Sequence, residues 1–203
     1  MEKLGNRRKT GVEQYYTPKD LARLLSEELV EITGPNRSFL EPAGGNGSFV
    51  SALEQLGAKN IQAVDLYPKH PKVKSADFLS HQPRGKDLVT ISNPPFGRNN
   101  SLSIPFFNHA ANHSEYIAFL VPRSWRKWSV QNRLDRRFHL ISDRDVSVNY
   151  VTDSGERIGA NNDLRTCFQI WQRKKELRPI VKVEDRGLIQ KCRPEQADLA
   201  MRV

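Results

Sequence analysis

RSFLEPAGGNGSFVSALEQLGAKNIQAVDLY, residues 37–67, sets the fold. A short apolar run, RSFLEPA, enters a glycine-rich turn, and SFVSALEQLG follows with apolar residues at helical spacing. Gly57 stands where a helix needs its C-terminal stop, and IQAVDLY then reads as a second strand. Strand, turn, helix, strand is a βαβ unit, because parallel strands need a crossover that returns the chain to the same end of the sheet.

The same alternation continues on both sides. Upstream, Thr17 is expected to cap a helix with Pro18 in its first turn and Asp20 completing a capping-box-like arrangement. Leu21, Leu24, Leu25 and Ile32 follow at roughly helical spacing, and Gly34-Pro35 stops the helix. Downstream, VKSADFL (73–79) and DLVTIS (87–92) read as the third and fourth strands. IPFFNHAANH (104–113) reads as a helix, YIAFLVP (116–122) as a strand, and SWRKWSVQNRLDRRF (124–138) as a basic helix. HLISDRDVSVNYV (139–151) and LRTCFQIWQ (164–172) read as two last strands, separated by the polar loop TDSGERIGANND (152–163) with no helix between them. The expected fold class is therefore α/β: a doubly wound, mostly parallel seven-stranded sheet with an antiparallel hairpin at one edge. Residues 1–16 read as a flexible basic arm, 17–172 as one domain, and 173–203 as a charged extension with a short strand at IVKVE (180–184).

Composition narrows the class. The chain has 203 residues, enough for one domain with a real core, and 37% of them are hydrophobic. No stretch approaches membrane-spanning length, and MEKLGNRRKTG lacks the apolar segment of a signal peptide. Cys167 and Cys192 have no metal-ligand spacing, so no metal is expected and a reduced, cytoplasmic setting is. The net charge of +9 favours polyanionic partners without naming one.

The glycine turn, FLEPAGGNGSFV (39–50), permits two readings: a tight turn, or a loop whose backbone passes close to a ligand at Gly45 and Gly47. In open parallel sheets ligands lie beyond the carboxyl ends of the strands. Asp65 ends the second strand, where a carboxylate can take both hydroxyls of a ribose. Asp77 and Phe78 follow the third strand and can offer an adenine ring a hydrogen bond and an apolar face. Together with the loop they describe a nucleoside pocket. No lysine completes a GxxxxGK[ST] phosphate cradle, and G-G-N-G lacks the GxGxxG register of dinucleotide folds.

ISNPPFGRNN (91–100) ends the fourth strand at the same sheet edge. Pro94 and Pro95 offer carbonyls but no donors, and their fixed φ holds those carbonyls in place. Asn93 adds an amide oxygen, so two fixed acceptors can receive the two N–H bonds of a planar amine. Phe96 offers a face on which a base can stack; a strand-ending turn with a core phenylalanine is the plainer reading.

This order of glycine loop, strand-end aspartate, second aspartate and Asn-Pro-Pro-Phe resembles the Rossmann-like (class I) S-adenosylmethionine-dependent amino-methyltransferases. EQYYTP (13–18) is similar to the segment before the glycine loop in nucleic-acid N6-adenine methyltransferases. The resemblance covers residues 13–171 in order and spacing. It implies S-adenosyl-L-methionine held by Tyr16, Thr17, Pro18, Glu41, Pro42, Ala43, Gly45, Asn46, Gly47, Asp65, Leu66, Asp77, Phe78 and Asn93. Asn93, Pro94, Pro95 and Phe96 would be the catalytic group, acting on an adenine amine in DNA or structured RNA.

For the polymer, Arg98, Arg123, Trp125, Arg126 and Lys127 are the expected contacts, with Trp128 expected to pack on the sheet and the 152–163 loop to close over the target. About thirty residues follow the last core strand, too few for a large recognition region, so specificity is expected from short loops, from the fold of a structured RNA, or from an activator or specificity subunit. Protein glutamine N5-methylation, guanine N2-methylation of ribosomal RNA and an idle RNA-binding subunit are the alternatives. 

Overall fold

A computed structural model describes residues 16–151, 165–184, 187 and 192–196. Seven strands form one sheet: β1 (Ser38–Glu41), β2 (Asn60–Asp65), β3 (Lys74–Ser75), β4 (Leu88–Ser92), β5 (Ser114–Pro122), β6 (Phe138–Val146) and β7 (Thr166–Arg173), in the order β3-β2-β1-β4-β5-β7-β6. Neighbours from β3 to β5 are parallel, and β7 runs antiparallel to both β5 and β6. This is the expected class. The order reverses between β1 and β4, which opens a crevice at their carboxyl ends where neighbouring connections leave to opposite sides.

Successive side chains along the strands face opposite sides of the sheet, and both sides are covered. Leu40, Leu88, Ile117, Phe119, Val121 and Trp171 pack on one face with α3 (Ser103–Ala110) and the segment carrying Trp125. Phe39, Val89, Ile91, Ala118, Leu120 and Ile170 pack on the other with α1 (Lys19–Thr33) and α2 (Ser48–Gln55). All five residues of β4 are buried, as befits a central strand covered on both sides. The edge strand β6 instead carries Asp143, Arg144 and Asp145, charges that discourage edge pairing with another chain.

Four local expectations change. Pro18 occupies the N-cap of α1 and no side chain caps it; Thr17 turns inward and is buried. The third strand shrinks to two exposed residues. Residues 124–138 do not form one helix: a 3-10 turn, Arg123–Arg126, is followed by the four-residue α4, Trp128–Gln131, and then turns. Lys127 between them has extended backbone (φ −68°, ψ 137°), which breaks the helical ladder. Residues 180–184 are irregular rather than strand. Arg178 ties this extension down by donating to the carbonyls of Phe138 and Gln131, and Val181 exchanges backbone hydrogen bonds with the Asn132 side chain. The 152–163 loop and residues 1–15 of the arm lie outside the described residues.

Candidate active site

The glycine loop is sewn to the end of β2. Gly44 N–H donates to the Val64 carbonyl at 2.9 Å, Gly45 N–H to Asp65 Oδ2 at 2.9 Å, and Lys69 N–H to the Gly45 carbonyl at 2.8 Å. Asp65 Oδ1 also accepts from Tyr67 N–H at 2.8 Å. Each carboxylate oxygen keeps a further lone pair, so Asp65 shapes the loop while still able to accept from a ligand. Two glycines are required here. A Cβ on Gly45 (φ +44°) would come within 2.9 Å of the Tyr16 ring, and one on Gly47 (φ +77°) within 2.3 Å of His70. Tyr16, 6% exposed, is fixed over the loop by a bridge to Val151, whose N–H donates to the Tyr16 carbonyl at 3.1 Å.

One cavity opens at this edge. Tyr16, Pro42, Ala43 and Gly45 line its loop side, with Asp65 and Leu66 next along. Phe78 forms part of the wall, and Asn93, Pro94, Pro95 and Phe96 line the same cavity. Tyr67, Ala76 and Phe106 also line it, none of them among the residues expected from the sequence. Tyr67 directly follows the Asp65-Leu66 pair and was within reach of that reading. Phe106 was not: it arrives from α3, and only packing against Phe78, with ring centroids 5.2 Å apart, brings it there.

A smaller crevice on the other side of the loop is lined by Tyr16, Thr17, Gly45, Asn46, Ser48 and Asn93, among others. Thr17 Oγ1 is buried there with no hydrogen-bond partner among the described residues, a cost that a ligand atom could relieve. Asn46 Oδ1 accepts from Ser48 N–H and Oγ, and so shapes the start of α2.

Four residues expected around the cofactor, Pro18, Glu41, Gly47 and Asp77, line neither cavity. Pro18 caps α1. The exposed Asp77 carboxylate accepts from Leu79 N–H at 3.0 Å and folds the turn after β3; the neighbouring Phe78 is what faces the cavity. Glu41 is 1% exposed beneath the loop. Its Oε1 accepts from Ala43 N–H at 2.9 Å and from Ser92 Oγ at 2.6 Å, while Oε2 has no partner among the described residues. Burial pushes its carboxyl up to about 8, against the lowering effect of those two hydrogen bonds, so it is mainly protonated at neutral pH. Glu41 thereby braces β1 against the residue just before Asn93.

The expected polymer contacts are re-sorted. Trp125 is fully buried: its Nε1 donates to Ser103 Oγ at 3.2 Å and its ring packs on Phe107 and Phe119, so it cannot stack on a base. Trp128, expected in the core, is half exposed. Arg126 holds Asp143 and Asp145 at 2.7 Å each, and Arg123 holds Asp145 at 2.8 Å. A guanidinium already neutralised by β6 acids is a poor phosphate ligand. Arg98 and Lys127 are exposed and in no ion pair among the described residues. Cys167 is buried, which pushes its thiol up to about 12, so no thiolate nucleophile is present at that position.

The seven-stranded order with an antiparallel β7, and a cavity at the carboxyl ends of β1, β2 and β4, decide the architecture. This is the class I methyltransferase fold. A proposed RNA methyltransferase from Pyrococcus horikoshii superposes with a TM-score of 0.65 at 17% identity, covering 84% of this chain and 93% of that one. A proposed class I S-adenosylmethionine-dependent methyltransferase from Listeria monocytogenes superposes at 0.54 with 17% identity, covering 81% and 62%. By sequence, the type II methyltransferase M.HincII of Haemophilus influenzae is 29% identical over 99 residues, 47% of this chain. The match spans 19% of that relative's length. No protein-family pattern matches the chain. At these identities the solved methyltransferases speak to the fold, and the M.HincII match adds a sequence relative over about half of the chain.

Proposed function

We propose that this chain transfers a methyl group from S-adenosyl-L-methionine to the N6 amine of adenine in nucleic acid. One observation carries the reading: the Asn93-Pro94-Pro95-Phe96 turn and the Asp65 end of β2 border a single cavity. A nucleoside-bearing methyl donor and an acceptor amine can therefore meet within it. The sequence match to the type II methyltransferase M.HincII supports methyl transfer as the reaction, and the basic balance of the chain supports a polyanionic substrate.

The residues fit the cofactor. Asp65 has acceptor capacity for ribose hydroxyls, Leu66, Phe78 and Phe106 offer apolar walls for the adenine, and the buried Thr17 hydroxyl, without a hydrogen-bond partner among the described residues, lies beside the glycine loop. The cofactor supplies an electrophilic methyl on sulfur; the chain's work is to prepare the nucleophile. An adenine amine donates its lone pair to the ring, so attack needs a nitrogen moving towards tetrahedral geometry. Asn93 and the Pro94 carbonyl accept its N–H bonds, favour that geometry and stabilise the charge developing on nitrogen. This is electrostatic preorganisation, and losing one such group costs on the order of a hundredfold in rate. Phe96 supports the base after it leaves its stack. Glu41 and Ser92 hold Asn93 in position from behind.

The test is transfer of labelled methyl to RNA, DNA and protein in parallel, with nucleic acids digested and the modified nucleosides identified by mass. The expected product is N6-methyladenosine or its deoxy form, lost about a hundredfold in Asn93→Ala while cofactor affinity persists. Methylated glutamine or N2-methylguanosine would replace this reading with its rivals. Full turnover in Asn93→Ala would end the proposed role of the asparagine.

A further inference from the structure

A second cleft begins where the first ends. Phe96 lines both. Beyond it lie Asn99, Asn100 and Ser124, and at its far side Lys127 and Arg133. The turn from Phe96 into α3 is unusual: Asn99 (φ +55°) and Asn100 (φ +61°) both adopt left-handed backbone without being glycine. Such conformations persist only where the surroundings hold them, and they concentrate at ligand-handling sites. Here the Asn100 amide donates to Ser124 Oγ at 3.1 Å, tying the catalytic turn to the 3-10 segment.

The charges around this cleft differ from those nearby. Arg123, Arg126 and Arg137 are each held by an aspartate. Lys127 and Arg133 are exposed, line the cleft, and make no ion pair among the described residues. Between Lys127 and Ser129, two lining residues, stands Trp128 at 50% exposure. A large aromatic left in water beside uncommitted cations is the pairing that single-stranded nucleic acids use: phosphate to cation, base to ring.

We infer that this cleft is a subsite for the nucleotide adjoining the target, in an unpaired strand, its phosphate held by Lys127 and Arg133 and its base stacked on Trp128. The inference rests on the nucleic-acid reading above but is tested by binding alone. A duplex keeps its flanking bases stacked on one another and cannot offer a face to Trp128, so unpaired strands should bind more tightly than the same sequence in a duplex.

The experiment is fluorescence anisotropy of a labelled adenine-containing 12-mer, single-stranded and as duplex, titrated at several salt concentrations. The proteins are wild type, Lys127→Ala/Arg133→Ala, Trp128→Ala and the control Lys86→Ala, an exposed lysine just before the amino end of β4, whose carboxyl end carries the site. Losing the one phosphate held by these two residues should reduce the single-strand salt slope by about 0.7, the value per neutralised phosphate. Trp128→Ala should weaken single-strand binding by about tenfold with an unchanged slope, the loss of one base stack. Lys86→Ala should do neither. An unchanged slope in the double variant, or equal single-strand and duplex affinity that ignores Trp128→Ala, would overturn the subsite. Failure of the catalytic reading looks different: the wild type would show no cofactor-dependent thermal shift and no methyl transfer, whatever its binding of the 12-mer.

Discussion

Glu41 carries an unusual electrostatic burden for a single side chain. Its carboxyl is fully enclosed, and burial raises its folded value to about 8, above the ordinary 4.5 of an exposed glutamate. The folded protein thus holds a proton that the unfolded chain releases. That contribution to stability is fully present below about 4.5 and is lost progressively as pH rises through about 8. Glu41→Gln keeps the neutral shape and the acceptor for Ala43 and Ser92, so thermal denaturation should lose this slope between those pH values. A variant whose melting temperature falls with pH as steeply as wild type would remove Glu41 as its source. Gly47→Ala tests the loop: a methyl 2.3 Å from His70 at φ +77° must displace one or the other, and cofactor binding measured by calorimetry should be lost before the fold is.

Elements show why adjacent tryptophans have opposite roles. The break at Lys127 ends the 3-10 turn and restarts the helix in a new direction, so Trp125 enters the core and Trp128 does not. Trp125→Ala should cost about 3–5 kcal/mol in denaturant unfolding, the range for emptying a buried aromatic site. A loss below 1 kcal/mol would show that the segment collapses freely into the space. The ion pairs between this turn and β6 predict a quieter result. Arg126→Ala should leave oligonucleotide affinity unchanged, because its charge is already met by Asp143 and Asp145; a fall as large as that of the Lys127/Arg133 variant would refute that division of the cations.

At the scale of the whole molecule, the glycine loop and the ends of β1, β2 and β4 must be assembled before a cofactor can bind. Saturating S-adenosylmethionine should therefore stabilise the folded chain by about 2.7 kcal/mol at a hundred times its dissociation constant. Asn93→Ala should retain most of that shift, which calorimetric melting can follow. A cofactor that leaves the melting temperature unmoved would contradict a preformed site.

Much of this architecture is written in local pattern. Apolar runs alternate with an amphipathic helix, glycine and proline punctuate them, and each signal spans only a few residues. The strand count, the parallel core, the antiparallel partner and the convergence of Asp65 with Asn93 follow from it, because a parallel sheet sends every such turn to one edge. What the pattern could not supply was which side chain of a short basic segment faces inward, since one extended residue at Lys127 redirects all those after it. Nor could it pair Arg126 with acids on a distant strand, bring Phe106 to the cavity, or show Glu41 sealed from water. These depend on neighbours remote in the chain, and burial and pairing exist only once the sheet and its helices have closed around them.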